Sequence, residues 1–231
     1  NIPLSFSPCS WTYRKNITID KRMVNGTLTD FPVLINFTSD SDLAANAKSN
    51  GQDIFFTRDD GVTVLPHEIE LYQNASGGLV AWVKVNQSQN TANTTIYMYY
   101  GNAGVTFPTA NPAGVWDTNY KGVWHLKESG NGTTGEYKDS TQYANDGQGG
   151  RGNLSYVPKQ TAGQIGFGQQ FDNLVDGKYD LVDVGNGSSL NITGNQITLE
   201  AWVRHNLSAP YAHDSWGFVN RKGWDYGYRL L

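Results

Sequence analysis

Eleven Asn-x-Ser/Thr triplets run through the chain, at Asn16, Asn25, Asn36, Asn74, Asn86, Asn93, Asn131, Asn153, Asn186, Asn191 and Asn206. None has Pro in the middle, so each can accept an N-linked sugar. With 22 Asn and 34 Ser plus Thr among 231 residues, random placement would give about three such triplets. The chemistry is attachment of a bulky, soluble glycan to an amide nitrogen that must face water. Strand parity agrees with that need. In KNITI, VLINF and LVAWVKVN the alternating apolar residues take one face, which puts Asn16, Asn36 and Asn86 on the other. The excess of triplets predicts a protein that works outside the cell.

Other residue types could carry chemistry. Glycoside hydrolysis needs two carboxylates facing one bond, about 5–10 Å apart. Glu200 stands alone in LEAWVRH, and no Glu-x-Asp-x-Glu triplet occurs. Glu68 and Glu70 share a face in HEIELY, which reads as a solvent-facing strand edge rather than a catalytic pair. The four histidines, His67, His125, His205 and His213, have no metal-ligand spacing. The expectation is that the protein is not an enzyme.

Asp139, Asn145 and Asp146 in KDSTQYANDG offer hard oxygens that suit Ca²⁺; the same residue types also build tight turns by themselves. Trp216, Trp224 and Tyr226, in HDSWGFVNRKGWDYGY, could stack on sugar rings as a ligand site, or could fill a core. Trp11, Trp82, Trp116, Trp124 and Trp202 sit inside strand-like patterns and read as structural. Cys9 is the single cysteine. It leaves two readings open, an intermolecular bond or a free thiol.

The elements that must position these groups are strands. Few charged residues, 26 Gly and 13 Tyr suit short strands and tight turns. A net charge of −4 gives no basic stripe for nucleic acid, and no apolar run is long enough for a membrane span. Strands are expected at 13–20, 31–38, 53–57, 64–72, 79–85 and 95–100, with a short helix at 41–49 capped by Ser39 or Ser41. The Gly/Pro-rich stretch GNAGVTFPTANPAG reads as the linker. Further strands are expected at 115–126, 165–171, 179–184, 197–204, 217–221 and 226–231. The fold class is therefore all-β with two β-sandwich domains. An N-terminal segment covers 1–10, the first domain 11–104, the linker 105–114 and the second domain 115–231.

WTYRKNITID, DFPVLINFTSD, NGQDIFFTRDDGVTVLPHEIELY, GGLVAWVKV and TTIYMYYGN resemble, in order, an uncharacterised domain of prokaryotic surface proteins. That domain commonly precedes a concanavalin-A-like, laminin-G-type jelly roll. VWDTNYKGVWHLKES, KDSTQYANDGQGG, GQIGFGQQFD, YDLVDVG and QITLEAWVRH resemble such a jelly roll. The resemblance implies an extracellular cell-surface protein, archaeal rather than bacterial given its many acceptors. Its expected role is an adhesin or lectin-like binding module of an appendage such as a pilus, with a glycan or another surface protein as partner. Calcium at the rim is common in related jelly rolls. The rival reading is a structural subunit that self-associates into a filament or lattice, and a glycan-active enzyme comes third. The jelly roll is expected to be incomplete at Leu231, either continuing beyond it or completed by a neighbouring chain. Cys9 could then lock adjacent subunits.

Overall fold

The computed structural model describes residues 10–88, 91–171, 174–175, 178–204, 219–220 and 229–230. They fall into two compact units, Asn1–Leu190 and Asn191–Leu231. The protein is all-β, with antiparallel sheets and two short helices among the described residues.

The first unit is built on two facing sheets. One has the order β1 (Tyr13–Ile19), β7 (Thr94–Tyr100), β3 (Phe55–Arg58), β4 (Val64–Leu65). The other has the order β2 (Leu28–Phe37), β6 (Gly78–Ser88), β5 (His67–Gln73). Alternation in each strand sends one set of side chains inward. Ile96, Met98, Tyr100 and Phe56 from the first sheet meet Ile35, Leu79, Ala81, Val83 and Val85 from the second. Each large side chain so buried contributes roughly 1.5–3 kcal/mol. That continuous apolar layer holds the sandwich together.

Leu43 closes the core from helix α1 (Ser41–Asn46) and is fully buried. The helix is capped by Asp40, whose Oδ1 accepts from Asp42 N and Leu43 N, both at 3.0 Å. The serines on either side were the expected caps. Asp40 also receives Lys15 Nζ from β1 at 2.6 and 2.5 Å, and a carboxylate can serve both partners where a hydroxyl could not. The β5–β6 turn presses directly on this cap. Gly77 has φ +69°, and a Cβ there would lie 1.8 Å from the Asp40 carbonyl oxygen. Only glycine fits.

The stretch expected as a linker is tied to the first sandwich. Buried Asp53 accepts from Gly101 N and Asn102 N at 2.8 and 3.0 Å. Further on, Thr109 N donates to Gln52 O at 3.1 Å and Asn111 N to His67 O at 2.8 Å. A four-residue helix α2 (Pro112–Val115) follows.

The expected strand at 115–126 does not form. Asp117 makes a turn, accepting from Asn119 N at 2.8 Å, and Leu126 has φ +55°, in the left-handed region rather than the extended one. Only Trp124 bridges, to Asp139. Residues up to 190 form short ladders: β8 (Gln148–Gly149) with β13 (Val182–Asp183), β9 (Lys159–Ala162) with β10 (Phe167–Gln170), and β11 (Leu174–Val175) with β12 (Lys178–Tyr179). Their loops are ordered by carboxylates. Glu136 accepts from the backbone N–H groups of Asn131, Gly132, Thr133 and Gly149.

In the second unit, β14 (Val219–Asn220) pairs with β15 (Arg229–Leu230). The strand expected at 197–204 is absent, and Trp202 is 75% exposed rather than structural. No helix among the described residues is long and apolar enough to cross a membrane.

Candidate functional site

The outer face of the β5–β6 pair carries the most concentrated chemistry among the described residues. Glu68 stands opposite Trp82 in the ladder, and the register shifts between Ile69 and Leu71. Glu70 is the extra residue of that bulge, and its carboxylate shares the outer face with that of Glu68, both meeting His125. Both glutamates were read from sequence as solvent-facing. The structure corrects this: each is 5% exposed, because residues 116–140 fold over them.

His125 enters from that covering segment and lies between the two carboxylates. Its Nε2 is 3.1 Å from Glu68 Oε2, and its Nδ1 is 3.1 Å from Glu70 Oε2. The Nε2 approach is off the N–H line, so it acts as an ion pair more than as a hydrogen bond. Trp116 Nε1 donates to Glu68 Oε2 at 2.9 Å, and Trp82 Nε1 donates to Glu70 Oε2 at 2.7 Å. Ser140 Oγ donates to Glu68 Oε1 at 2.6 Å, and Lys127 Nζ to the Glu70 carbonyl at 2.7 Å. The Trp82 ring stacks on the imidazole at 5.9 Å and meets Trp116 at 5.4 Å.

Burial alone would lower the His125 pKa, but the two carboxylates outweigh it and push it up to about 9. Burial likewise works against the Glu68 charge, and His125, Ser140 and Trp116 overcome it, holding Glu68 below the usual carboxylate range. The imidazole is therefore a cation at neutral pH. A Glu/His set of this kind can exchange protons. Here protein donors and two indole rings enclose it, so its chemistry is internal: it clamps residues 116–140 to the sheet. Trp116, Trp82 and His125 each looked ordinary in sequence, and only their convergence gives them this role.

His67 behaves oppositely. It is fully buried, with ring nitrogens 3.2 Å from Leu65 O and 3.0 Å from Ile54 O, and burial pushes its pKa down to about 4. It is a neutral core residue.

The glycan acceptors form the second candidate feature. Asn16, Asn25, Asn36, Asn74, Asn93, Asn131, Asn153, Asn186 and Asn191 are all exposed. Asn86 lies on β6, and Asn206 falls outside the described residues. At Asn131 and Asn153 the amide oxygen accepts a backbone N–H two residues on, each at 3.0 Å. The oxygen, not the nitrogen that would carry sugar, is the atom in use.

Asp139, Asn145 and Asp146 do come together, but around protein donors. Asp139 accepts from Val123 N, Thr141 N, Thr141 Oγ1 and Asn145 N at 2.9–3.0 Å. Asp146 accepts from Asp139 N at 3.0 Å and Lys138 Nζ at 2.7 Å. Asn145 Oδ1 accepts from Ser189 Oγ at 3.3 Å. A cation would have to displace these donors. Among the described residues, no group of three or more His, Cys, Asp or Glu is arranged to hold a metal ion. Glu200 is exposed. Trp216, Trp224, Tyr226 and Cys9 lie outside the described residues.

A family described as a domain of unknown function (DUF2341) matches residues 50–122, about a third of the chain. The chain is thus similar to that domain over β3–β7 and the segment that follows, a span holding Glu68, Glu70, Trp82 and Trp116. No curated protein and no solved structure matches the chain.

Proposed function

We propose that this protein is an N-glycosylated, extracellular surface protein that acts as a binding module, an adhesin or the outer part of a cell-surface appendage. One observation carries the reading. All nine acceptor asparagines with described side chains are exposed, and at Asn16 and Asn36, which lie on strands, the alternating apolar neighbours Ile17, Ile19, Val33, Ile35 and Phe37 turn toward the core instead. Acceptors in excess of chance could be by-products of a Thr-rich composition, but then some would fall on inward faces. The resemblance of the second half to a laminin-G-type jelly roll motivates the same reading. Intact-mass measurement of the protein from its natural host tests it.

A second reading, a subunit of a filament or surface lattice, is favoured by one further observation. Ile197, Trp202 and Val203 lie close together in sequence and are 46%, 75% and 47% exposed. Such an apolar run suits contact with another copy. Native-host electron microscopy separates the two, since only the second gives repeating order.

A further inference from the structure

We propose that Asn25 and Asn186 are sites of spontaneous succinimide formation in the bare chain, and that the fold holds the two other Asn-Gly pairs out of that reaction. Four such pairs occur, at Asn25-Gly26, Asn50-Gly51, Asn131-Gly132 and Asn186-Gly187. In each, a glycine without a Cβ lets its own backbone nitrogen approach the preceding side chain. The step needs water alone. The glycine nitrogen loses its proton and bonds to the asparagine Cγ, the Cγ–Nδ2 bond breaks, and ammonia leaves. Water then opens the cyclic imide at either carbonyl, giving Asp or an isoaspartate that lengthens the main chain by a methylene.

The fold splits the four pairs into two classes. Gly51 and Gly132 are buried, and their nitrogens are in use. Gly51 N donates to Lys48 O at 2.8 Å, and Gly132 N donates to Glu136 Oε1 at 3.1 Å. Their asparagines are pinned as well. Asn50 Oδ1 accepts from Gln52 N at 3.2 Å, and its Nδ2 donates to Gln52 Oε1 at 2.8 Å. Asn131 Oδ1 accepts from Thr133 N at 3.0 Å. Attack would give up these bonds, and each buried group left unpaired adds its own cost.

Asn25 and Asn186 are exposed, and Gly26 and Gly187 are only half-buried. No hydrogen bond to another described residue engages the N–H of either glycine or the side chain of either asparagine. Both glycines are required where they stand. Gly26 has φ +117°, and a Cβ at position 187 would lie 2.1 Å from Asn145 Oδ1. The reactivity therefore comes with the local structure.

Both reactive pairs are also glycan acceptors, in Asn25-Gly26-Thr27 and Asn186-Gly187-Ser188. The consequence drawn from this rests on the glycoprotein reading. The nitrogen that would carry sugar is the one that leaves, so an attached glycan replaces ammonia with a bulky glycosylamine and slows the step. Conversely, deamidation removes the acceptor amide, so a site left bare is lost to later glycosylation.

The test uses the full chain made in a host that adds no N-glycans, kept folded at mildly alkaline pH and sampled by peptide mapping with isoaspartate detection. Asn25 and Asn186 are expected to convert at least about tenfold faster than Asn50 and Asn131, and the four rates to converge in concentrated urea. Glu136→Ala, which frees Gly132 N, is expected to raise the Asn131 rate and leave Asn50 slow. Equal rates in the folded protein, a ranking that persists in urea, or an Asn131 rate unmoved by Glu136→Ala overturns the proposal. Protein from the natural host, incubated alike, reads the part played by sugar. Glycan-bearing Asn25 and Asn186 are expected to stay intact, and conversion there at the bare-chain rate overturns the protection. A native chain without sugar would sink the glycoprotein reading, while the four rates still decide this one.

Discussion

His125 Nε2 lies 3.1 Å from Glu68 Oε2, so a residue of an irregular loop neutralises a carboxylate on a regular strand. Neither charge would be stable alone at that depth, and the interaction makes the covering loop and the sheet conditional on each other. Breaking one partner of a buried pair typically costs about 3–5 kcal/mol. His125→Ala and Glu68→Ala are expected to destabilise by that order, and the double variant by clearly less than the sum. Denaturant midpoints of the three variants check this; additive losses would show that the pair is not coupled.

The two inward histidines give stability opposite pH dependences. His125 is raised from 6.5 to about 9, so its contribution is complete below pH 6.5 and lost as pH rises through about 9. His67 is lowered from 6.5 to about 4, so its contribution is complete above pH 6.5 and lost as pH falls through about 4. Stability should therefore peak near pH 6.5 and decline on both sides. Thermal unfolding across that range, with His125→Gln flattening the alkaline limb, measures it. An unchanged alkaline limb in that variant would count against the clamp.

The Gly77 turn makes a sharper steric claim. Gly77→Ala combines a positive φ with a contact of 1.8 Å to the Asp40 carbonyl and should cost at least about 2 kcal/mol. Gly26→Ala is the control: φ is +117° there, but nothing lies within 4 Å of the added Cβ. If both variants lose equal stability, backbone strain alone explains Gly77 and the packing claim fails.

Because Asp139 and Asp146 already accept protein donors, calcium addition or chelation should leave Tm unchanged. Asp139→Ala should lower it, since four N–H and O–H donors lose their acceptor. A calcium-dependent rise in Tm abolished by Asp139→Ala would reverse this assignment.

The strands of the first sandwich were legible because period-two alternation marks a half-buried strand directly. KNITI and VLINF gave β1 and β2 with Asn16 and Asn36 outward, as the exposure of both confirms. The helix at Ser41–Asn46 was legible too, but its cap was not. Asp40 wins over the serines through Lys15, a β1 residue that local sequence does not place beside it. Glu68 and Glu70 failed for a related reason. Alternation says which residues leave the core of one sandwich, and it is silent on whether another segment then covers them. His125 carried no signal, since its partners lie on β5 and in no local motif. The strand expected at 165–171 is present as Phe167–Gln170, whereas the segment 115–126 was misread as a strand because aromatic-rich runs have high β-propensity. Asp117 and Leu126 break that run by turn geometry that propensity does not encode.

The central claim is that this surface is built to carry sugar. Intact-mass measurement of the protein from its natural host, before and after chemical removal of N-linked glycans, tests it most directly. The account predicts a mass several kilodaltons (roughly, for most of the acceptors occupied) above the 25.5 kDa polypeptide, with peptide mapping placing glycan on exposed sites such as Asn16, Asn36 and Asn131. A native mass equal to that of the bare chain would contradict it.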